Sequence, residues 1–306
     1  MDQNISETRR NPRDKKTVLI TGASGYIGGN LAYFMSEVGD IYRTFHTSPL
    51  RTGQAIPLNI TDKNEVNRVI QDRCPDLIIH TAAITNANQC AAQPQLAWDV
   101  NVSGTENIAR AAQGVEARLI YLSTDLVFGG HSSFYAEEDI PTPICYYGKS
   151  KLAGEHVARK LCSRCCILRL ALAYGWSATS STCFTEKIIE TLRRSEKINL
   201  FNDEFRTPVY ITDVCQIITA IASTENHQDL YHVSGTERLS RYQFGLRLAA
   251  IFNFNQNLIN PISVSDFDFQ DERPRDCSLN SEKIKQFLSL NIRSVDQGLH
   301  DMASLK

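Results

Sequence analysis

The sequence predicts an α/β protein with a doubly wound parallel sheet, followed by a smaller C-terminal lobe. The chain has 306 residues, of which 42% are hydrophobic and 22% charged, as in soluble globular proteins that bury a full core. From Thr17 onward, short runs rich in β-branched residues alternate with stretches of helical periodicity, which is typical of a parallel sheet covered on both faces. After about residue 170 this alternation weakens, and longer loops join the predicted helices.

Six or seven strand–helix units fit the first part of the chain, because short apolar runs bounded by turn residues recur there. The predicted strands are Thr17–Thr21, Ile41–Phe45, Ala55–Leu58, Leu77–His80, Leu119–Ser123 and Cys166–Leu170. The predicted helices among them are Tyr26–Val38, Lys63–Arg73, Pro94–Gln113 and Tyr147–Leu161. Further helices are predicted at Thr185–Ser195, Thr212–Ser223 and Arg241–Phe252.

These elements divide the chain into three parts. Residues 1–16 are polar and basic and are expected to form a disordered tail. Residues 17–170 are expected to form the sheet domain. Residues 171–306 are expected to form the second lobe over the carboxyl edge of the sheet, with the chain crossing back to the sheet.

Charge and composition exclude several classes of partner. The 32 basic and 34 acidic residues nearly balance, so no charge excess favours nucleic acid, and a small-molecule ligand is expected. Neither an apolar run of the ~18 residues that span a bilayer nor a signal-peptide core is present, which predicts a cytoplasmic protein without a membrane partner. Cys162, Cys165 and Cys166 cluster without a second Cys or His pair to complete a tetrahedral site, so no metal is predicted.

The first predicted strand runs directly into a glycine-rich turn that opens a helix. Glycines in this position allow a tight turn and close approach of the backbone to a pyrophosphate, and the helix N-terminus faces the negative charge. The turn therefore predicts a Rossmann-type, NAD(P)-binding domain over residues 17–170. The candidate cofactor contacts in the turn are Gly22, Ser24, Gly25, Tyr26, Ile27 and Gly28.

The end of the second strand indicates which dinucleotide binds. NAD-binding sheets place an Asp or Glu there, which takes the ribose hydroxyls and repels a 2′-phosphate. Asp40 lies instead at the opposite end of the strand. The residues that follow the strand, or lie close by, are His46, Thr47, Ser48 and Arg51. These groups favour NADP(H) over NAD(H); the alternative is that they are solvated polar residues of a loop.

Tyr147 and Lys151 lie four residues apart at the start of a predicted helix and so share one face. An ammonium at ~4 Å from a phenolate interacts by roughly 4 kcal/mol at an effective dielectric constant of ~20, enough to lower the pKa of Tyr147 by about two units. Tyr147 would then exchange a proton with an alcohol or ketone, and Lys151 would reach the nicotinamide ribose. Thr124, at the end of a strand, is placed to hydrogen-bond the same oxygen. Taken alone, such a Tyr and Lys are more often part of an ordinary helix surface.

The motifs together resemble the extended short-chain dehydrogenase/reductase superfamily. In chain order they are the glycine turn, Asn101, Ser123-Thr124, Tyr147 and Lys151. Further runs resemble the dTDP-4-dehydrorhamnose reductase (RmlD-like) family, and they are Ser123–Phe128, Tyr147–Glu155 and Arg273-Pro274. The resemblance covers residues 16–290. It implies that Tyr147 is the proton donor, that Lys151 is its partner and a ribose ligand, and that Thr124 anchors the substrate oxygen. It also implies that Asn101 supports the proton relay.

Two arginines beyond the sheet resemble those that hold the diphosphate of a sugar nucleotide in such reductases and epimerases. The planar, permanently charged guanidinium of Arg206 or Arg273 suits that ligand. The alternative for each is an ion pair with a neighbouring acid such as Glu204 or Asp276. The candidate substrate contacts are Thr85, Thr124, Arg206 and Arg273. Ala82 and Ala83 are further candidate cofactor contacts.

The chain departs from its apparent relatives at three places. Asp125 is followed by Leu126, where related dehydratases carry a second acid, so dehydration is not expected. Tyr26-Ile27 replaces a Gln-Leu pair, and Leu172 replaces a tryptophan, of the rhamnose-forming reductases.

The sequence therefore predicts an oxidoreductase: an NADPH-dependent reductase of a nucleotide-linked 4-keto-6-deoxysugar, compatible with a homodimer. One alternative is a non-catalytic, NADP-binding regulatory subunit that resembles the beta subunit of methionine adenosyltransferase. Another is a reductase or epimerase of a different sugar or ketone.

Overall fold

The computed structural model describes residues 16–36, 39–48, 55–224 and 229–305. The tail expected over residues 1–16 falls outside this range except for its last residue, and the predicted cofactor contact Arg51 also lies outside it.

The described residues alternate between strands and helices along most of the chain. The strands are β1 (Thr17–Thr21), β2 (Asp40–Phe45), β3 (Ala55–Pro57), β4 (Leu77–His80), β5 (Arg118–Thr124), β6 (Cys165–Leu170), β7 (Ala173–Tyr174), β8 (Ile198–Phe201), β9 (Phe205–Arg206), β10 (Val209–Tyr210), β11 (Leu230–Val233), β12 (Leu239–Ser240) and β13 (Ile259–Ile262). The α-helices are α1 (Tyr26–Phe34), α2 (Lys63–Arg73), α3 (Ala87–Ala92), α4 (Pro94–Trp98), α5 (Thr105–Gly114), α6 (Tyr146–Leu161), α7 (Phe184–Arg193), α8 (Ile211–Ser223), α9 (Arg241–Ile251), α10 (Glu282–Leu288) and α11 (Val295–Ser304). A π-helix spans Asp99–Gly104, and 3₁₀ turns span Asp125–Val127, Gln256–Leu258 and Val264–Asp266.

Seven strands form one parallel sheet in the order β3-β2-β1-β4-β5-β6-β11. The chain winds outward from β1 in one direction and from β4 in the other, so the switch point lies where Thr21 pairs with His80. Ligands of such sheets bind in the crevice at the carboxyl ends of the strands, next to the switch point. The doubly wound α/β fold predicted from the sequence is confirmed.

Helices cover both faces of this sheet. Val18 and Ile20 belong to the core that includes α1 and α8, whereas Leu19, which points the other way, belongs to the core that includes α2 and α5. Because both faces are buried, the central strands contain hardly any exposed position, which explains their continuous apolar runs.

The helix predicted over Pro94–Gln113 is interrupted. The structure has α4, then the π-helix, then α5. Inside the π-helix Gly104 lies against the side chain of Ile60, where a Cβ would come within 2.7 Å of Cδ1. A π-helical turn rotates the following side chains relative to a continuous α-helix, and such turns often occur at functional sites.

The seventh strand, β11, is absent from the sequence-based prediction. It comes from the C-terminal part of the chain and pairs in parallel with β6, with His232 opposite Arg169. β11 is only four residues long and contains His232, a residue that is seldom fully buried, so its strand signal in the sequence is weak. The chain therefore returns to the sheet after residue 170, as predicted. The division of the chain into a cofactor domain and a second lobe at residue 170 stays a prediction.

The remaining strands form three two-stranded sheets, β7 with β10, β9 with β12 and β8 with β13. Among the described residues, no helix is both long enough and apolar enough to cross a bilayer. Eight of the nine cysteines are buried, and Cys74 is exposed.

Candidate active site

The glycine turn joins β1 to α1 at the switch point of the sheet. Gly22 has a φ of +69°, and a Cβ on it would lie 2.7 Å from the Cα of Ala82. A Cβ on Gly28 would lie 2.5 Å from the carbonyl oxygen of Gly22. Both positions therefore require glycine. Gly25 provides no side-chain cap for α1, which begins at Tyr26, so the backbone N–H groups of its first turn are available to an anion.

The larger side chains of this turn face the protein. Tyr26 and Ile27 pack against the core between the sheet and α8, and burial raises the pKa of the Tyr26 phenol. The carbonyl oxygen of Ser24 accepts a hydrogen bond from the hydroxyl of Ser181 at 3.3 Å. Tyr26 and Ile27 would therefore contact a ligand mainly through their backbone N–H groups.

The predicted contacts at the end of β2 lie next to the glycine turn. His46, Thr47 and Ser48 are exposed and follow β2 directly. The N–H of Ala23 in the turn donates to the carbonyl oxygen of Thr44 at 2.8 Å. This bond holds the end of β2 beside the turn, where the ribose of a dinucleotide would lie.

Ala82, Ala83 and Thr85 lie in the segment that leaves β4 on the other side of the switch point. The N–H of Ala82 donates to the hydroxyl of Thr21 at 3.3 Å. Ala82 and Ala83 are half-buried and Thr85 is exposed. The three residues are thus at the edge of the sheet predicted for them.

The N-terminus of α6 packs tightly against the end of β5. Sγ of Cys145 accepts a hydrogen bond from the N–H of Gly148 at 3.4 Å and so caps the helix. A side chain on Gly148 would clash with the carbonyl oxygen of Leu126, so only glycine allows this approach. The first turn of α6 therefore lies directly on the 3₁₀ turn Asp125–Val127.

Tyr147 and Thr124 meet at this contact, and their exposed fractions are only 8% and 6%. Burial raises the pKa of Tyr147 well above its ordinary value; the hydrogen bond with Thr124 lowers it by less, and the nearby Asp125 raises it further. The phenol is therefore neutral at physiological pH and carries the proton that it would donate.

Lys151 lies one turn further along the same face of α6 and is 3% exposed. Its Nζ lies 4.1 Å from the centroid of the Tyr121 ring. Burial lowers the pKa of Lys151 to about 7, and the carboxylate of Glu155 offsets part of that effect. The expectation that Lys151 lowers the pKa of Tyr147 thus disagrees with the structure, in which that pKa is raised. The helical spacing predicts the shared face correctly, but burial outweighs the charge that the sequence argument considered.

Asn101 lies in the π-helix with 1% of its surface exposed. Its Oδ1 accepts from the N–H of Ile84 at 2.9 Å, and its Nδ2 donates to the hydroxyl of Ser150 at 2.9 Å. That hydroxyl in turn donates to the carbonyl oxygen of Tyr147 at 2.8 Å. Asn101 therefore fixes the segment after β4 against α6.

Arg206 is buried, with 3% of its surface exposed, which disagrees with the expected grip on a substrate diphosphate. Its Nε lies 3.3 Å from Oδ2 of Asp125, and its Nη2 lies 3.1 Å from Oε1 of Glu204. Its Nη1 donates to the carbonyl oxygen of Phe205 at 2.7 Å. Every guanidinium nitrogen is thus engaged within the protein. Of the two alternatives from the sequence, the ion pair with Glu204 is present, although it is buried.

Arg273 is more open than Arg206, with 27% of its side chain exposed. Its guanidinium carbon lies 4.2 Å from the centroid of the Phe269 ring. Its Nη2 donates to Oδ1 of Asn88 at 3.2 Å, and its Nη1 lies 4.0 Å from Glu204. Part of this guanidinium is therefore free to meet an anionic ligand.

A buried ion pair next to Lys151 was not predicted from the sequence. Arg169 donates to Glu155 with Nε at 3.0 Å and Nη2 at 2.9 Å, and the hydroxyl of Ser123 donates to the same carboxylate at 2.5 Å. Glu155 lies four residues after Lys151, so the spacing that places Tyr147 and Lys151 on one helix face predicts Glu155 on that face too, but it does not predict the partner Arg169 on β6.

Asp125 is a second functional candidate that sequence reasoning passed over. Its Oδ1 accepts a hydrogen bond from the hydroxyl of Thr124 at 3.0 Å. The sequence places it directly after Thr124 and in the run that resembles the family, but it does not show the contact with Arg206, which joins distant segments. No cluster of three or more His, Cys, Asp or Glu side chains in the described part of the chain is arranged to hold a metal ion.

Comparisons with known proteins agree with this geometry. The chain is 32% identical over 257 residues to methionine adenosyltransferase 2 subunit beta of Xenopus laevis, which covers 81% of this chain and 75% of the relative. It is 30% identical over 283 residues to dTDP-4-dehydrorhamnose reductase of Aggregatibacter actinomycetemcomitans, which covers 88% of this chain and 92% of the relative.

A solved structure of a dTDP-4-dehydrorhamnose reductase is also similar to this chain. The dTDP-4-dehydrorhamnose reductase of Bacillus anthracis in complex with NADP superposes with a TM-score of 0.86 at 30% identity, covering 95% of this chain and 100% of that one. The sequence model of the family described as "RmlD substrate binding domain" matches residues 16–305. Because that match spans nearly the whole chain, the protein belongs to the RmlD family, within the extended short-chain dehydrogenase/reductase superfamily.

Proposed function

We propose that this protein is an NADPH-dependent reductase that converts the 4-keto group of a nucleotide-linked 6-deoxysugar into a hydroxyl group. The observation that carries the proposal is the buried side chain of Tyr147, which lies with Thr124 where α6 packs on the carboxyl end of β5 and keeps its proton because burial raises its pKa. A ketone that becomes an alcohol needs a proton at its oxygen, and a neutral phenol in the ligand crevice is a suitable donor.

The chain fits a dinucleotide at the glycine turn. A Cβ on Gly22 would collide with the backbone of Ala82, and one on Gly28 with the carbonyl oxygen of Gly22, so these glycines allow the tight turn that a pyrophosphate-binding site needs. When bound there, NADPH would supply the hydride that reduces the carbonyl carbon. Gly22, Ser24, Gly25 and the N-terminus of α1 would hold the pyrophosphate, while Lys151, whose Nζ lies over an aromatic ring, would bind the nicotinamide ribose.

The preference for NADP(H) over NAD(H) is part of the proposal. The groups that would meet the adenosine ribose are His46, Thr47 and Ser48, which are exposed at the end of β2 without a carboxylate among them. A ribose 2′-phosphate meets no repulsion from these three side chains. The Bacillus anthracis relative was solved with NADP, which supports binding of NADP at this site.

The substrate's diphosphate is proposed to bind Arg273 rather than Arg206. Arg273 is partly exposed and stacked on Phe269, whereas the nitrogens of Arg206 are engaged by buried acids and backbone carbonyls. Thr124 would hold the carbonyl oxygen beside Tyr147, and Thr85 would lie at the mouth of the crevice. Relatives named as dTDP-4-dehydrorhamnose reductases support the choice of sugar nucleotide.

The proposal is tested by adding dTDP-4-dehydrorhamnose and NADPH to the purified protein and following the oxidation of NADPH. We expect turnover, and we expect Tyr147→Phe to lower kcat by about 10²–10⁴-fold, because the proton donor is lost. NADPH binding, followed by fluorescence, should stay within about twofold, because the hydroxyl makes no contact in the glycine turn. A Tyr147→Phe variant as active as the wild type would refute the role of Tyr147.

A second candidate function is regulation of another enzyme, favoured by the 32% identity to methionine adenosyltransferase 2 subunit beta. On this reading the cofactor site is kept and the ketone chemistry is idle. Gel filtration of the protein mixed with a methionine adenosyltransferase catalytic subunit, together with absence of turnover on nucleotide-linked ketosugars, would support it.

A further inference from the structure

The ring of Tyr121 lies against the ammonium group of Lys151. Nζ of Lys151 is 4.1 Å from the centroid of this ring, well within the ~6 Å at which a cation is attracted to the face of an aromatic ring. Tyr121 is fully buried on β5, and Lys151 is 3% exposed on α6. Because little water reaches the pair, the attraction is stronger than it would be at an exposed site. Ring and ammonium thus form a buried contact between the sheet and the helix that carries Tyr147.

The carboxylate that acts on Lys151 from its own helix, Glu155, is already engaged by other donors. It accepts hydrogen bonds from Nε and Nη2 of Arg169 at 3.0 and 2.9 Å and from the hydroxyl of Ser123 at 2.5 Å. Among the residues that the structure describes, no hydrogen bond or ion pair joins Nζ of Lys151 to a carboxylate. Burial lowers the pKa of Lys151 and Glu155 offsets this only in part, so the ammonium depends on a further stabilising group. The face of the Tyr121 ring is such a group.

Contacts on both sides fix the position of the Tyr121 ring. Its Oη donates to the carbonyl oxygen of Lys151 at 3.4 Å. A Cβ on Gly154 would come within 2.2 Å of this Oη, so the hydroxyl fits only against glycine. From β4, the ring of His80 lies 5.7 Å away, centroid to centroid, and Nδ1 of His80 is 2.7 Å from the hydroxyl of Thr21, which directly precedes the glycine turn. The protein alone therefore sets where the ring lies.

An aromatic face differs from a carboxylate in the hydrogen-bond donors that it leaves available. The ammonium of a lysine has three N–H donors and no acceptor. A carboxylate at hydrogen-bonding distance would engage at least one of them in a strong, charge-assisted bond. The ring of Tyr121 attracts the charge with its face instead, so the N–H groups of Lys151 that point away from the ring can still donate to the hydroxyl oxygens of a ribose.

We propose that the ring face of Tyr121 positions the ammonium of Lys151 for the nicotinamide ribose of the dinucleotide. This inference rests on the proposed function, in which Lys151 binds that ribose. Because Tyr121 is fully buried, it acts through Lys151 and is a positioning residue. The affinity for the dinucleotide should then follow the electron density of the ring at position 121, and this dependence should vanish without the ammonium.

The first test changes the electron density of the ring at nearly constant shape. Phenylalanine, and then mono-, di- and trifluorinated phenylalanine, replaces Tyr121, because fluorine withdraws electron density from the ring face. We expect the Kd of NADPH, measured by calorimetry, to rise with each fluorine and to end about 3–30-fold above that of Tyr121→Phe. Tyr121→Phe itself should stay within about threefold of the wild type, because it keeps the ring face and loses one long hydrogen bond. A Kd that stays the same across the fluorinated series would overturn the proposal.

The second test separates this role from a general packing role by comparing two ligands. Adenosine 2′,5′-bisphosphate contains the adenosine half of NADPH but lacks the nicotinamide ribose, so Lys151 would not contact it. We expect its Kd to stay constant across the fluorinated series while that of NADPH rises. If both values rose together, Tyr121 would support the site only as packing, and the proposal would be wrong.

The third test removes the cation in a double-mutant cycle. In Lys151→Met, fluorination of the ring at position 121 should leave the Kd of NADPH unchanged, because the charge that the ring attracts is gone. A rise that persists without the ammonium would contradict the proposal.

Tyr231→Leu is the matched control. Tyr231 is a buried tyrosine on β11 of the same sheet, and Nζ of Lys283 lies 5.1 Å from the centroid of its ring. We expect this variant to bind NADPH with the affinity of the wild type, whatever its stability.

These experiments follow binding of the dinucleotide without any sugar substrate. The inference fails when the affinity for NADPH does not depend on the ring, whereas the proposed reductase function fails when the wild-type protein turns over no nucleotide-linked ketosugar. The two failures are therefore distinguishable.

Discussion

Two buried cations flank Tyr147, Lys151 and Arg206, and they differ in how far neighbouring carboxylates compensate their charge. On the cofactor side, Lys151 is 3% exposed and rests on the face of Tyr121. On the lobe side, Arg206 is equally buried but contacts two carboxyl groups. On the cofactor side Glu155 offsets only part of the cost of burying Lys151, so a ligand would stabilise that cation further, whereas on the lobe side the protein has already neutralised Arg206. A basic residue near a crevice thus indicates a ligand contact only when its charge is left uncompensated.

The largest effect that would test this comparison concerns Lys151. Its pKa falls from 10.5 to about 7 in the folded protein, so between these values the unfolded chain binds more protons and stability rises with pH. We expect Lys151→Met to be more stable than the wild type at pH 7 by about 2–4 kcal/mol. Urea unfolding at pH 7 and pH 10 measures this, and the gain should shrink at the higher pH.

Arg206→Met is the counterpart on the other side and should lose stability in the same assay, because it leaves two acids facing each other. If both substitutions changed stability in the same direction, the contrast between a compensated and an uncompensated buried cation would not hold.

The next effect concerns the turn on which the cofactor side depends. Gly22→Ala would place a methyl group against the backbone of Ala82 at a residue with positive φ. We expect the Kd of NADPH, measured by fluorescence, to rise about 10–100-fold, as a strain of about 1–3 kcal/mol would produce. Gly114→Ala is the control, because a Cβ there meets no atom within 4 Å. If Gly22→Ala bound NADPH as tightly as the wild type, the glycine turn would not be part of the cofactor site.

The smallest effect separates the two arginines. Arg273→Met should weaken the binding of dTDP, measured by calorimetry, about tenfold, because a partly exposed charged hydrogen bond contributes about 1.5 kcal/mol. Arg206→Lys should change that affinity less than twofold, because the diphosphate does not reach it. If Arg206→Lys weakened dTDP binding more than Arg273→Met did, the diphosphate would bind Arg206 instead.

The features that sequence predicts well here depend on local spacing. The glycine turn, the end of β2 and the shared face of Tyr147 and Lys151 each follow from residues within a few positions of one another, where helix and strand geometry fixes the outcome. The alternation of strands and helices predicts a doubly wound parallel sheet.

The features that sequence missed depend on contacts between distant segments. Arg206 meets Asp125 across about 80 residues, and β11 meets β6 across about 60. No local pattern reports such a pairing, so the sequence suggested the ion pair of Arg206 with Glu204 but not its burial. The sequence predicted that Lys151 would lower the pKa of Tyr147. It did not predict that burial raises this pKa, because the burial of Tyr147 depends on how distant segments pack together.

The pairing of β11 with β6 has a consequence for how the protein is made. Until the ribosome has synthesised Leu230–Val233, the sheet ends at β6, whose backbone N–H and C=O groups on that side have no partner. The nascent chain would thus carry an open, apolar edge during the translation of about 60 further residues. A fragment that stops at residue 170 would keep that edge permanently, and we expect it to aggregate although it contains the whole glycine turn and the Tyr147–Lys151 helix.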